Sequence, residues 1–372
     1  MTGRLAVFTN QIGATSETFI QRHIADLAPG RTVVVARQSG GNGKEGGGSR
    51  RETLFLDQWA LRMPIRLAKR VGVSERRMRD GKIREFLRRN EVSVVFGEYL
   101  DQFVDFVPLL DQMSVPYVVQ GHGIDVSAAL RKPETAQGYS AYKSAKAILT
   151  RCEFHRQRLI SLGLPADKLH VNPGGIDVPS VPPKREPAAT KRFLAVGRMV
   201  PKKGPIFLLE SFRQAAMHDR ELFLDYIGGG ELLPAARQFV QACGLKDRVR
   251  LHGAVDEAKK EKLWSECGSF LQHSLTDPDT GDEEGLPAAI QEGMANAMIV
   301  VTTRHSGITE AVAHGKTGLL SDEADCPGMA ANIVTVARGE ATREMGFAAW
   351  ERALRHYTWP SEKERILRHL ND

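Results

Sequence analysis

Short, continuous apolar runs recur along the chain. Each is followed by a loop and then by a stretch with helical spacing. Leu5–Thr9, Thr32–Ala36, Ser93–Phe96, Tyr117–Gln120 and Ala147–Thr150 read as buried strands, with helical segments such as Glu17–Leu27 and Ile83–Asn90 between them. A second series starts at Arg192. There Phe193–Gly197, Phe223–Gly228, Arg248–His252, Ser269–His273 and Met298–Thr303 read as strands, and Ile206–Ala216, Leu232–Cys243, Lys259–Ser265 and Ala288–Ala295 as helices. Strands that are apolar throughout, alternating with helices, predict parallel sheets covered on both faces.

Between the two series lies Val178–Thr190, with four prolines in thirteen residues, a stiff extended connector. The expected architecture is therefore α/β, with two doubly wound, Rossmann-like domains sharing a central cleft. Their expected bounds are 1–180 and 188–355. Ligands of such sheets bind beyond the carboxyl ends of the strands, so chemistry is sought in the loops that follow them. Gly40–Ser49 reads as a mobile surface loop.

Composition narrows the field. The 372 residues include 51 Lys and Arg and 45 Asp and Glu, a net charge of +6, with 42 % hydrophobic and 26 % charged residues. That excludes a disordered tail or a fibre. The four cysteines, Cys152, Cys243, Cys267 and Cys326, are far apart and suggest neither a zinc cluster nor a disulfide framework. Met1–Asn10 reads as a strand and not a signal peptide. No apolar stretch approaches the roughly 20 residues of a spanning helix. A cytoplasmic protein is expected, peripheral on the inner face of the cytoplasmic membrane if the basic segment acts there. That segment, Arg62–Arg89, carries eleven Lys and Arg against three acids, 11 − 3 = +8. Apolar residues interleave with the charges, and Pro64, Gly72 and Gly81 predict two short helices rather than one long one. Such helices suit an anionic membrane surface, with a solvated helix face as the alternative. Nothing in the sequence resembles a nucleic-acid-binding motif.

Several loops could carry chemistry. In Asp277–Glu310, a helix starting at Leu286 or Pro287 would put Glu284 just before it and Glu292 in its second turn. The open N–H groups of Gly285 and Leu286 would then form an anion site suited to phosphate. In Ala195–Gly204, Arg198 and Lys203 follow a strand and suit a diphosphate. Gly228 opens a Gly-Gly-Gly turn that permits close backbone approach. His122, flanked by glycines in G-H-G-I-D-V-S, follows a strand. Ser16 is a candidate N-cap beside Glu17. Asp277, Asp279 and Asp282 only imitate a metal motif, and no metal is expected there.

In order, S-E-T-F-I (16–20), G-H-G-I-D-V-S (121–127), N-P-G-G-I-D (172–177), V-G-R-M-V-P-K-K-G (196–204), G-D-E-E-G-L-P (281–287) and H-S-G-I-T-E (305–310) cover nearly the whole chain. Together they resemble the large family-4-like retaining glycosyltransferases of GT-B fold that use nucleotide sugars. The likeness is nearest to the bacterial branch of exopolysaccharide, colanic-acid-type and lipopolysaccharide assembly. The resemblance implies that Arg198 and Lys203 hold the donor diphosphate and that Glu284 contacts the donor sugar, with Gly285 and Leu286 donating N–H groups. It further implies that Glu292 binds the ribose, that backbone near Gly253 and Ala254 meets the base, and that His122 faces the reacting sugar. Gly13 would face phosphate and acceptor, with Ser16 and Glu17 in the acceptor region. A C-terminal helix, 356–372, would pack back on the first domain. The chain departs from the family at Gly293, where Ala is usual, and at Ala297 and Ile299. Gly293 should weaken its helix by about 0.5–1 kcal/mol.

The resulting expectation is a metal-independent hexosyltransferase that needs no cofactor. It would move a sugar from a nucleoside-diphosphate sugar, UDP the expected carrier, to a glycan or lipid-linked saccharide with retention. Domain closure would exclude water. A nucleotide-sugar epimerase on the same fold and a non-catalytic sugar-binding subunit are the alternatives.

Overall fold

The apolar runs form two parallel sheets. A computed structural model describes residues 3–13, 17–39, 51–60 and 74–371. The chain divides into two compact units. The first comprises Met1–Thr150, Arg156–Asn172 and Lys363–Asp372, and the second Arg151–His155 and Pro173–Glu362.

In the first unit the strands are β1 (Arg4–Gln11), β2 (Thr32–Gln38), β3 (Thr53–Phe55), β4 (Val92–Glu98), β5 (Tyr117–Gln120), β6 (Ala147–Thr150) and β7 (Leu169–Val171). They lie in the order β3-β2-β1-β4-β5-β6-β7, every pairing parallel. The last residues of the chain join this unit. Arg365 Nε donates to Asn172 Oδ1 (3.0 Å), and the rings of His170 and His369 stack at 4.2 Å.

In the second unit β8 (Arg192–Val196), β9 (Phe223–Ile227), β10 (Val249–Gly253), β11 (Ser269–Leu271), β12 (Ile299–Thr303) and β13 (Leu319–Ser321) take the order β10-β9-β8-β11-β12-β13, again parallel. Both faces are buried. Phe193, Leu224, Leu271 and Val301 enter one apolar cluster, while Leu194, Ile227, Phe270 and Val300 enter the other. This two-sided burial is why these strands are apolar throughout rather than alternating. In each sheet the strand order reverses once, between β1 and β4 and between β8 and β11. Those reversals open a crevice at the carboxyl ends of the strands.

The ten strands expected from the apolar runs, five between Leu5 and Thr150 and five between Phe193 and Thr303, all form, their ends moved by a few residues. Strands β3, β7 and β13 are three residues each, too short to show a period. Helices Cys326–Ala337 and Arg343–His356 also went unread. Of the basic segment, 62–73 lies outside the described residues, as does the Gly40–Ser49 loop. The remainder corrects the expected break at Gly81, because Glu75–Arg89 is one continuous helix. Ser74 caps it by accepting from Arg77 N, and Ile83, Phe86 and Leu87 bury one stripe. One exposed glycine costs such a helix only about 1 kcal/mol. Among the described residues no helix is long and apolar enough to cross a membrane.

Gly293 has a packing reason. A Cβ there would lie 2.9 Å from Cγ and 3.1 Å from Cβ of the buried Phe270 on β11. At Gly81 nothing would lie within 4 Å. Gly81→Ala should therefore raise stability by about 1 kcal/mol. Gly293→Ala should lower it by about 1–3 kcal/mol, because overpacking outweighs helix propensity. Urea unfolding of the two variants checks the opposite signs.

Candidate functional site

In the second unit two loops meet at the reversal between β8 and β11. After β8 the chain runs through the exposed Arg198 into a single turn, Pro201–Lys203, which Gly204 ends with φ +48°. Gly204 has no room for a side chain, since a Cβ would come within 2.8 Å of the His273 ring and carbonyl. Leu275 N donates to Lys202 O (3.0 Å), tying this turn to the loop after β11.

The turn presents two lysines to one carboxylate. Lys203 Nζ lies 3.3 Å from Glu284 Oε2, and Lys202 Nζ lies 3.5 Å from Glu284 Oε1 and 2.9 Å from Asp282 Oδ2. Burial alone would raise the Glu284 carboxyl, but the charges of Lys203 and Lys202 outweigh it and hold the group at about 2. Burial pulls both lysines down. Lys202, facing Glu284 and Asp282, still ends above its ordinary value, whereas Lys203 ends below. Arg198 adds a third positive charge that acts on both lysines.

The backbone of Glu284 is fixed separately. Its N–H donates to His305 Nε2 (3.1 Å), so the ring carries its proton on Nδ1 and donates it to Glu323 Oε1 (2.5 Å). The other Glu323 oxygen accepts from Thr276 N (2.8 Å). Glu284 Oε1 is buried and makes no hydrogen bond beyond its ion-pair contact with Lys202. The following helix is Ala288–Ala295, so Pro287 stands at its N-cap and not inside its first turn, a correction of the expected start. The fixed φ of proline tolerates that position, and the amides of Gly285, Leu286, Ala288 and Ala289 make no hydrogen bond among the described residues.

The other expected residues of this unit lie around the same sheet end. Glu292 projects one turn into the helix, 3.4 Å from Lys260 Nζ, with burial raising its carboxyl. Gly253 ends β10, its carbonyl accepting from Gly228 N (2.8 Å), and Ala254 beyond it is exposed. Gly228 has φ +148°, and a Cβ there would strike the Gly197 carbonyl at 1.8 Å. The close approach seen at this glycine is thus between the β8 and β9 loops of the chain itself. Asp277 closes its own turn, accepting from Asp279 N (3.1 Å) and from the Thr280 hydroxyl. Among the described residues no group of three or more metal-binding side chains occurs.

In the first unit the loops after β1, β4 and β5 converge. Gly13 is exposed with φ +87°. Ser16 lies outside the described residues, and Glu17 occupies the N-cap position of helix Thr18–Asp26. Glu17 Oε1 accepts from the Tyr99 hydroxyl (3.0 Å). The ring of His122 lies between Phe19 (4.7 Å) and Tyr99 (4.4 Å), with Nε2 2.7 Å from Glu98 Oε2. Asp125 fastens its loop, taking the N–H groups of His122 and Gly123 on one oxygen (2.9 Å each) and Leu100 N on the other (2.8 Å).

Sequence reasoning missed Lys202, His305 and Glu323 as supports of Glu284, and Glu98 as a partner of His122. The available signal was an acid closing the apolar run Val-Val-Phe-Gly-Glu, where a buried charge needs a partner.

Two family profiles match end to end, "Glycosyltransferase Family 4" over residues 31–179 and "Glycosyl transferases group 1" over residues 181–345. The chain is similar to the amylovoran biosynthesis glycosyltransferase AmsK of Erwinia amylovora, at 31% identity over 223 residues, 59% of this chain and 54% of the relative. It is similar to the putative colanic acid biosynthesis glycosyltransferase WcaL of Escherichia coli, at 28% identity over 58% of this chain and 54% of the relative. The matches thus span about half the length of these curated relatives. In fold it is similar to Anabaena Alr3699/HepE, solved with UDP and glucose, with a TM-score of 0.76, 16% identity and 99% of each chain covered. It is also similar to the sucrose-phosphate synthase of Thermosynechococcus elongatus, with a TM-score of 0.73, 15% identity and 98% and 97% covered.

The lysine–glutamate contact has a pH signature. Because the Glu284 carboxyl is lowered from 4.5 to about 2, its contribution to stability is complete above pH 4.5 and is lost as pH falls towards 2. Glu284→Gln should be less stable than the parent at pH 7, by about 3 kcal/mol, since it strips a buried lysine of its partner. The gap should close between pH 4.5 and 2, as urea unfolding of both proteins across that range would register.

Proposed function

Since the chain belongs to the family-4-like glycosyltransferases of GT-B fold, we propose that it transfers a sugar from a nucleoside-diphosphate sugar to a saccharide or lipid-linked saccharide in bacterial surface polysaccharide assembly. One observation carries this reading. At the β8/β11 reversal, a buried carboxylate whose Oε1 makes no hydrogen bond stands between two lysines and a run of open helix-end amides. An acceptor oxygen suits sugar hydroxyls, and cations with amides suit a diphosphate.

In this reading Arg198, Lys203 and the amides of Gly285 and Leu286 stabilise the charge that grows on the departing diphosphate. Glu284 accepts from a donor-sugar hydroxyl, Glu292 from the ribose diol, and backbone at Gly253 and Ala254 meets the base. The bond from the anomeric carbon to the diphosphate oxygen breaks as the acceptor oxygen bonds to the same face. The acceptor's proton goes to the leaving phosphate, so no enzymatic nucleophile takes part and configuration is retained. Metal-independence is part of the proposal, because the lysines and Arg198 supply the positive charge a cation would otherwise bring. The first unit's His122 and Glu17 are read as its sugar- and acceptor-facing side chains. UDP is the carrier proposed, given the UDP in the HepE structure. A relative described as GDP-mannose-dependent makes GDP the comparison to run.

Lys203→Ala and Glu284→Ala, each checked for folding, should lower turnover by at least about tenfold, ~1.4 kcal/mol of barrier. Turnover is read as release of UDP or GDP from a panel of their sugar conjugates with a saccharide acceptor. EDTA should leave the rate unchanged. Normal turnover in folded Lys203→Ala would remove the diphosphate role, and loss with EDTA would remove metal-independence.

The helix Glu75–Arg89 exposes Arg76, Arg77, Lys82, Arg88 and Arg89, and we propose contact between the Arg62–Arg89 segment and an anionic membrane surface. Neutralising these five cations should weaken binding to phosphatidylglycerol vesicles, by about 1 kcal/mol for each cation near the surface. Unchanged co-sedimentation would end that part of the proposal.

A further inference from the structure

A second buried carboxylate closes β4. Glu98 has no exposed side-chain surface, and each of its oxygens meets a histidine. Oε1 lies 2.5 Å from Nδ1 of His23, itself fully buried on helix Thr18–Asp26, and Oε2 lies 2.7 Å from Nε2 of His122. Burial works to raise the Glu98 carboxyl, but the charge of His23 and the hydrogen bonds from both rings outweigh it and hold the group well below the usual range. An ionised carboxylate only accepts, so both facing ring nitrogens carry their protons.

The rest of the neighbourhood holds the His122 ring in one place. Phe19 and Tyr99 flank it, and Asp125 fixes the backbone on either side of His122 by taking the amides of His122 and Gly123. Tyr99 keeps φ +64°, a conformation that costs a non-glycine residue about 1–3 kcal/mol and persists where its surroundings over-determine it. Its hydroxyl is in turn held by Glu17. The His122 side chain is 9% exposed, whereas those of His23 and Glu98 are at 0%. A buried ion pair is a weak device for stability alone. Two buried groups aligned behind one partly exposed imidazole are the arrangement that orients a ring for work.

We propose that Glu98 is a positioning residue for His122. It accepts the ring's Nε2–H, buttressed by His23, and so leaves Nδ1 as the lone-pair atom with which His122 accepts a hydrogen bond from a sugar hydroxyl. The second half rests on the glycosyltransferase reading of His122, and the first does not.

The test separates the two. Protein labelled with 15N in histidine is examined in water, without substrate, for imidazole protons downfield of the amides. A His122 Nε2–H and a His23 Nδ1–H resonance are expected. The first should vanish in His122→Gln, the second in His23→Gln, and both in Glu98→Ala. Should Glu98→Ala fail to fold, Glu98→Gln serves, since the two rings face different oxygens and the amide nitrogen that replaces one of them cannot accept, so at least one resonance must go. A His122 proton on Nδ1, or resonances that survive the loss of Glu98, would overturn the proposal.

The kinetic arm uses UDP-glucose and GDP-mannose as probes, read as release of UDP or GDP. Glu98→Gln should lower kcat by about tenfold or more and leave KM within about threefold. It should add almost nothing in a His122→Ala background, because it acts through that ring. A slow His122→Ala beside a normal Glu98→Gln would overturn the positioning role and leave the enzyme reading intact. A normal His122→Ala would instead overturn the sugar-facing role of the ring, with the spectroscopic result unaffected.

Discussion

The carboxylate of Glu284 is buried, and an ionised acid in that position must be neutralised. The loops at the β8/β11 reversal are organised by that requirement. Lys202 and Lys203 come from a tight turn that only Gly204 can end against His273. The backbone of Glu284 is pinned through His305 to Glu323, and Glu323 holds Thr276 of the same loop. Two independent anchors thus fix the group, one on the charge and one on the main chain. Glu284 Oε1, ion-paired with Lys202 but making no hydrogen bond, and the helix-end amides keep hydrogen-bonding capacity for a ligand. This is preorganisation in a physical sense, because the polar groups are already aimed before anything binds.

The two units solve a similar problem with different chemistry. Both sheets reverse order next to their first strand, and in both a buried acid lies at or beyond the end of the strand across that reversal. In the second unit the acid is Glu284, paired with lysines. In the first it is Glu98, paired with histidines. Lysines bring permanent charge, as a diphosphate leaving group requires. Histidines bring directed protons and a ring that can be turned one way, as recognition of a hydroxyl requires.

Much of this was legible in the sequence, for identifiable reasons. Strands buried on both faces must be apolar throughout, so β1, β2, β4, β5, β6, β8, β9 and β12 announce themselves as runs. Three residues carry no period, so β3, β7 and β13 stayed hidden, and β11, equally short, showed only as part of the longer run Ser269–His273. Glycine was read as a breaker at Gly81 and as a weakness at Gly293. The buried stripe of Ile83, Phe86 and Leu87 overrides the first, and the ring of Phe270 explains the second. At the site, Arg198, Lys203, Glu284 and His122 were readable because each follows an apolar run or sits among glycines. Lys202, Glu98 and Glu323 were not, since a supporting role depends on which loops meet in space and leaves no local spacing to find.

The central claim is that the β8/β11 reversal binds a nucleoside diphosphate through the lysine turn. Calorimetric titration of UDP and of GDP into the protein and into Lys203→Ala tests it most directly. The account expects one of the two to bind the parent saturably, and the variant to bind it at least about tenfold more weakly, ~1.4 kcal/mol. Equal affinity for parent and variant, or no binding of either nucleotide to the parent, would contradict it.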